Sequence, residues 1–264
     1  MLHGGPGLSS GYLLPQMSNF GNGYKVIFYD QRGSGKSSDT QINEQTITMA
    51  QFIADLDAVR AKLGYNKIIL MGHSWGGLLA MNYAIAHPAH VEDLVLVNSA
   101  PATHAGFLEF VQEYDKRTAK INHELNSMRD SAAFRAGDPS VVTKYYRLIF
   151  ATYMTNPKDV DKISLYFTNK SALNGFKVAA ILQKNYFDNK YDVLPQLKKL
   201  HIPTLIIHGS DDLMPLATDE AIQKAIPNAK LIILNHTGHF AYIEDPANFF
   251  ADVKAFLNQN QNTH

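Results

Sequence analysis

The chain of 264 residues contains no cysteine, which excludes disulfides, thiolate metal centres and a cysteine nucleophile. It has no excess of charge either: 24 Lys and Arg stand against 24 Asp and Glu. That balance offers no electrostatic footprint for nucleic acid or an anionic membrane surface. No apolar run approaches the roughly 18 residues that a bilayer-spanning helix requires. The opening residues, MLHGGPGLSS, carry no basic segment followed by an apolar one, so they do not read as a secretory leader, and the cytoplasm is the expected compartment. What the chain does have is 45% hydrophobic and only 18% charged residues, enough apolar surface to bury a substantial core.

Short, continuous apolar runs recur along the chain: KVIFYD (25–30), KIILMG (67–72), DLVLVN (93–98), TLIIHG (204–209) and KLIILN (230–235). Continuous rather than alternating hydrophobicity is how strands covered on both faces read, and it predicts a mostly parallel sheet. Between the first two runs, Phe52, Leu56, Val59 and Leu63 fall on one helical face, with Gly64 suited to the C-terminal cap. ADVKAFL after Pro246 predicts a closing helix, and the tail NQNQNTH (258–264) is expected to fray. From 104 to 190 the rhythm breaks into helix-like pieces rich in Tyr, Phe and Met. The expected organisation is an α/β core, 1–103 and 191–264, carrying an inserted helical cap, 104–190.

DQRGSGKSS (30–38) ends like a phosphate-binding loop, but a P-loop needs glycine where this chain has Asp30, a carboxylate facing the phosphates. A stronger signal is Gly72-His73-Ser74-Trp75-Gly76, a G-x-S-x-G set where a predicted strand turns into a helix. Such a turn lifts a serine hydroxyl out of the sheet, and only glycines allow strand and helix to approach so closely. A nucleophilic serine needs a base, and the base needs an orienting acid. His239 follows the last predicted strand, at the end of the sheet where ligands bind; His236 shares its loop. Asp211 and Asp212 sit on the loop after TLIIHG, and spacing does not choose between them. Oxyanion donors are expected from the N–H of Trp75 and from the glycine-rich HGGPG (3–7).

HGGPG, YDQRGSGKS, GHSWGG, HGSDDLMP and GHFAYIEDP together resemble the α/β-hydrolase superfamily, and within it the proline iminopeptidase family of serine peptidases. The resemblance implies an α/β-hydrolase fold, a triad of Ser74, Asp212 and His239, and oxyanion N–H groups from Gly5 and Trp75. It implies that the Asp30–Ser37 loop supports the floor of the site, that no cofactor or metal is needed, and that the substrate is a short peptide with an N-terminal proline or another small residue. Two departures stand out. Where the family has a cap glutamate that grips the substrate amine, this chain offers Gln183, so amine recognition is expected from Glu109, Glu113, Asp115 or Asp188. That departure also leaves room for a carboxylesterase or a hydrolase of small amides and lactones. A non-catalytic receptor on the same fold is a third class, set against the presence of all three triad residues. The second departure is that only Met1 and Leu2 precede His3, so the family's N-terminal strands are absent from the sequence read here. Oligomeric state has no signal in the sequence.

Overall fold

The computed structural model describes residues 1–261. Four parallel strands form one sheet in the order β1 (Ile68–His73), β2 (Val91–Val97), β3 (Thr204–Gly209), β4 (Ala229–Leu234). β2 and β3 are fully or almost fully buried along their length, as continuous apolar runs require. β4 is the edge strand and only half-buried, with Ile233 facing outward.

One expected strand does not form. KVIFYD (25–30) joins no ladder and forms no regular element. The sheet beside it is represented by a single parallel bridge, Leu2 to Gly72. There the Leu2 N–H donates to Met71 and the His73 N–H to Leu2. The terminal amine of Met1 reaches the Ile27 carbonyl at 2.9 Å. Apolar character alone does not make a strand; a ladder needs a neighbour of matching length. An apolar groove of about 290 Å³ lies between this segment and β1. The helix α1 (Met49–Lys62), capped by Thr48, buries Phe52 and Leu56 and turns Val59 and Leu63 toward that groove, leaving Leu63 exposed where burial was expected.

α2 (Trp75–Ala86) leaves the end of β1 and is buried over most of its length. Between β2 and β3 the described chain forms only helices: α3 (His104–Thr118), α4 (Asn122–Asp130), α5 (Ala132–Arg135), α6 (Pro139–Ala151), α7 (Asn169–Leu182) and α8 (Leu194–Leu197). The two ends of this run meet. Thr103 bridges Asp192, and the His104 and Val193 N–H groups donate to Tyr191 and Ala102. α9 (Leu216–Ala225), α10 (Ala241–Glu244) and α11 (Pro246–Gln261) complete the fold. α11 extends through Gln261, so residues 258–261 of the expected frayed tail are helical; the rest of that tail lies outside the described residues. No helix among the described residues is long and apolar enough to cross a membrane.

Candidate active site

Ser74 sits between β1 and α2 with φ 56° and ψ −124°, a conformation that costs an L-residue energy and persists only when its surroundings enforce it. Those surroundings are glycines. A Cβ on Gly72 would lie 2.2 Å from the Gly76 carbonyl oxygen, and one on Gly76 would lie 2.4 Å from that of Leu2. The G-x-S-x-G spacing is thus a packing requirement. As the first residue of α2, Trp75 has an N–H with no partner one turn earlier in the helix.

The loop after β4 brings His239 to the same end of the sheet. Its Nδ1 donates to Asp212 Oδ1 at 2.9 Å, and both residues are buried. This leaves Nε2, which has no hydrogen-bond partner in this structure, for the Ser74 hydroxyl; Ser74 and His239 line one cavity of about 640 Å³ together with Gly5. The neighbouring candidates separate by burial: Asp211 and His236 are exposed, and neither touches the pair. Asp212 Oδ1 also accepts the Met214 N–H at 3.2 Å, and Oδ2 accepts Asn98 Nδ2 at 2.7 Å. Burial works to raise the Asp212 pKa, but the His239 charge and hydrogen bond, helped by Asn98, outweigh it and hold the carboxyl at about 2.

Several positioning groups had no sequence signal of their own. The Gly4 N–H donates to Tyr12 Oη at 2.5 Å, Tyr12 donates to His73 Nδ1 at 2.7 Å, and His73 Nε2 donates to the His239 carbonyl at 2.8 Å. Only neutral His73 satisfies that sequence of bonds, and burial first, then the nearby His239, lowers its pKa to about 3. The loop at 30–38 has a parallel function. Gln31 donates to the His3 carbonyl and accepts from Trp75 Nε1 at 2.8 Å. The Asp30 carboxylate fills the turn, accepting from Ser10 and from the Lys36 N–H, so the loop's donors are already taken by an acid of the chain. Glu244 accepts the N–H groups of Gly238, Phe240 and Thr155 and so fixes the loop that carries His239.

The cap residues expected to meet substrate lie elsewhere. Gln183 is exposed and donates to Asp188 Oδ1 at 2.6 Å on the outer surface. Glu113 is paired with Arg117 at 2.8 Å and Lys116 at 3.2 Å, and Arg117 in turn donates to the Asp212 carbonyl. Glu109 and Glu113 line a separate cavity with His208, whose Nδ1 pairs with buried Asp219. Asp115 and Asp188 are exposed. None of these residues lines the Ser74 cavity, because their helix faces point to solvent or to ion pairs of their own. Among the described residues one trio has the makings of a metal site, Asp57 with His87 and His90. The Asp57 carboxylate is already engaged by Arg60, Tyr83 and His90, and the trio is not part of the Ser74 cavity.

A hydroxyl on a strained turn, an imidazole on a neighbouring loop and a buried carboxylate behind the imidazole form the set that acyl transfer requires. The alpha/beta hydrolase fold family model matches residues 1–246. The chain is 28% identical over 270 residues to the proline iminopeptidase of Saccharolobus solfataricus, covering 98% of this chain and 84% of that one. Among solved structures it resembles the proline iminopeptidase of Mycobacterium smegmatis, with TM-score 0.68, 23% identity and coverage of 99% and 89%. It resembles an esterase from Rhodococcus to the same TM-score, with 22% identity and coverage of 97% and 88%. At these identities the structural matches speak for the fold alone, and the chain belongs to the alpha/beta hydrolase fold family.

Proposed function

We propose that the chain is a serine hydrolase that cleaves esters or amides of small substrates through an acyl-enzyme. The observation that carries this reading is the opening of Ser74 and His239 onto one cavity, with Asp212 buried behind the imidazole. In this reading Ser74 Oγ attacks the carbonyl while His239 Nε2 takes its proton, and Asp212 holds the imidazole and stabilises its charged form. The N–H groups of Gly5 and Trp75 receive the oxyanion; one such donor contributes about 3 kcal/mol. His239 then protonates the leaving group; a water that gives its proton to the same imidazole attacks the acyl carbonyl, and the acid leaves as that proton returns to Ser74 Oγ. We assign residues 104–190 to a cap over the site, supported by the stitching of its ends at Thr103 and Asp192.

A second reading, release of an N-terminal proline or small residue, is favoured by relatives named proline iminopeptidase. Against it stands a Ser74 cavity with no carboxylate in its walls to pair with a substrate ammonium, since a desolvated unpaired charge is costly. A paired assay separates the two: proline arylamide against a short-chain p-nitrophenyl ester, with Ser74→Ala as control. Ester turnover lost in Ser74→Ala supports the hydrolase, and strong arylamide turnover dependent on a free amine makes it an aminopeptidase. Turnover of either substrate that survives Ser74→Ala overturns both readings.

A further inference from the structure

The polar groups that line the Ser74 cavity, apart from the catalytic set and His73, are tyrosine hydroxyls, which donate and accept, and one guanidinium, which only donates. Among the described residues Arg129 is the only fully charged side chain there, and no Asp or Glu lines it. Arg129 is exposed at the cavity's edge, so it stands at the opening rather than in the depth. Its Nε donates to Tyr145 Oη at 2.9 Å and its Nη1 to Asn126 at 3.1 Å, and the guanidinium lies 5.5 Å from the Tyr145 ring centroid. The Tyr114 hydroxyl lines the same cavity. No carboxylate among the described residues lies within ion-pair distance of it. The nearest acids in sequence are committed elsewhere: Asp130 pairs with Arg135 at 3.4 Å and Glu124 with Lys144 at 3.1 Å.

Deeper in, the hydroxyls of Tyr146 and Tyr153 line the cavity with no partner from the protein. Burial raises both pKa values, so both stay O–H donors. The Tyr145 oxygen, already accepting from Arg129, has its own proton to give. The remaining wall is aromatic and aliphatic, with Phe110, Phe134, Phe150 and Phe176 among its rings.

A guanidinium with no carboxylate partner, beside tyrosine hydroxyls that can each donate a proton, suits an anionic acceptor, and its positive charge disfavours a cation at the same place. We infer that the cavity selects an aromatic or bulky apolar acyl group that carries a carboxylate, which Arg129 receives together with the Tyr145 and Tyr114 hydroxyls. The chemistry is that of charge-assisted bonds from a planar guanidinium to a carboxylate. The inference rests on the hydrolase reading above, but it concerns which molecule enters the cavity, and it is read separately.

The test uses three p-nitrophenyl esters of matched size: of phenylacetic acid, of p-carboxyphenylacetic acid and of p-(aminomethyl)phenylacetic acid. The expected order of kcat/KM is carboxylate, then neutral, then ammonium, with the first at least about tenfold above the last. In Arg129→Gln the carboxylate-to-neutral ratio falls at least about fivefold, and Arg129→Lys restores part of it. Reading a ratio removes any general loss of activity. Raised salt shrinks the carboxylate preference, since the guanidinium is exposed. Calorimetry on Ser74→Ala with the three corresponding primary amides reads the same order in binding without turnover. If no ester is hydrolysed but the binding order holds, the hydrolase reading fails and the cavity inference stands. An ammonium ligand bound or turned over as well as the carboxylate one, or a carboxylate preference unchanged in Arg129→Gln, overturns it.

Discussion

His73 Nε2 donates to the main-chain carbonyl of His239 at 2.8 Å, so the residue before the proposed nucleophile holds the loop of the proposed base. Through Tyr12 the same imidazole is tied to Gly4 in the glycine-rich loop. Three separate segments, 3–7, 72–76 and 236–240, are thereby fixed to one another by neutral hydrogen bonds in a buried setting. His73→Phe keeps the bulk and removes both bonds, leaving the Tyr12 proton without an acceptor and the His239 carbonyl without its donor. The expected outcome is a kcat/KM lowered by about 10²-fold, the cost of misplacing reacting groups by about 1 Å, with the protein still folded by circular dichroism.

The same histidine sets an acid limit on stability. Burial lowers His73 to about 3 and His3 to about 4, against 6.5 for a free imidazole. Above pH 6.5 neither folded nor unfolded chain holds these protons, so they add no pH dependence. As the pH falls through 6.5, the unfolded chain binds protons that the folded chain refuses, and stability is lost down toward pH 4 and then 3. Urea unfolding of the Ser74→Ala protein is expected to show a midpoint falling steadily as the pH goes below about 6. In His73→Asn the slope below pH 6 is expected to lessen by about one proton.

Asp212 and Asn98 give a graded pair. Asp212→Asn leaves the packing in place but offers His239 an amide instead of a charge, and kcat is expected to fall about 10⁴-fold. Asn98→Ala removes the bond of 2.7 Å to Asp212 Oδ2 and leaves the other partners of the carboxylate. A loss of about tenfold in kcat is expected, in line with about 1.4 kcal/mol for one charge-assisted bond. Steady-state kinetics on whichever substrate turns over checks both.

Glu244 joins the loop that carries His239 to the segment between β2 and β3. Its carboxylate takes N–H groups from Gly238 and Phe240 on one side and from Thr155 on the other. Glu244→Ala leaves those donors to water and is expected to lower kcat about tenfold and stability by about 1–3 kcal/mol. Glu244→Gln, which keeps an acceptor oxygen, is expected to recover most of the stability. Thermal unfolding and kinetics on the two variants read these effects apart.

Much of this was legible in the sequence wherever sterics leaves one solution. The glycines around Ser74 are required by contacts of 2.2–2.4 Å, and the strand–turn–helix context followed from apolar runs. TLIIHG spans β3 to the residue. KVIFYD misled because hydrophobicity reports burial, and 25–30 is partly buried without a ladder partner. Cap carboxylates were chosen by charge alone, and charge does not say which way a helix face points; Glu113 turned out to serve Arg117. Tyr12, His73, Asn98 and Glu244 had no local pattern, since each is defined by a partner between 6 and 166 positions away, as Glu244 is from Gly238 and His73 from His239. Arg129 was missed for a related reason: one arginine on a polar helix reads as a solvated face until the opposing tyrosines are known.

The central claim is that Ser74 is the nucleophile. A fluorophosphonate probe followed by peptide mass spectrometry tests it without knowledge of the natural substrate. The account predicts one equivalent of probe on the peptide containing Ser74, with labelling abolished in Ser74→Ala and slowed in His239→Ala. Labelling at another residue, or none on a protein that is folded, would contradict it.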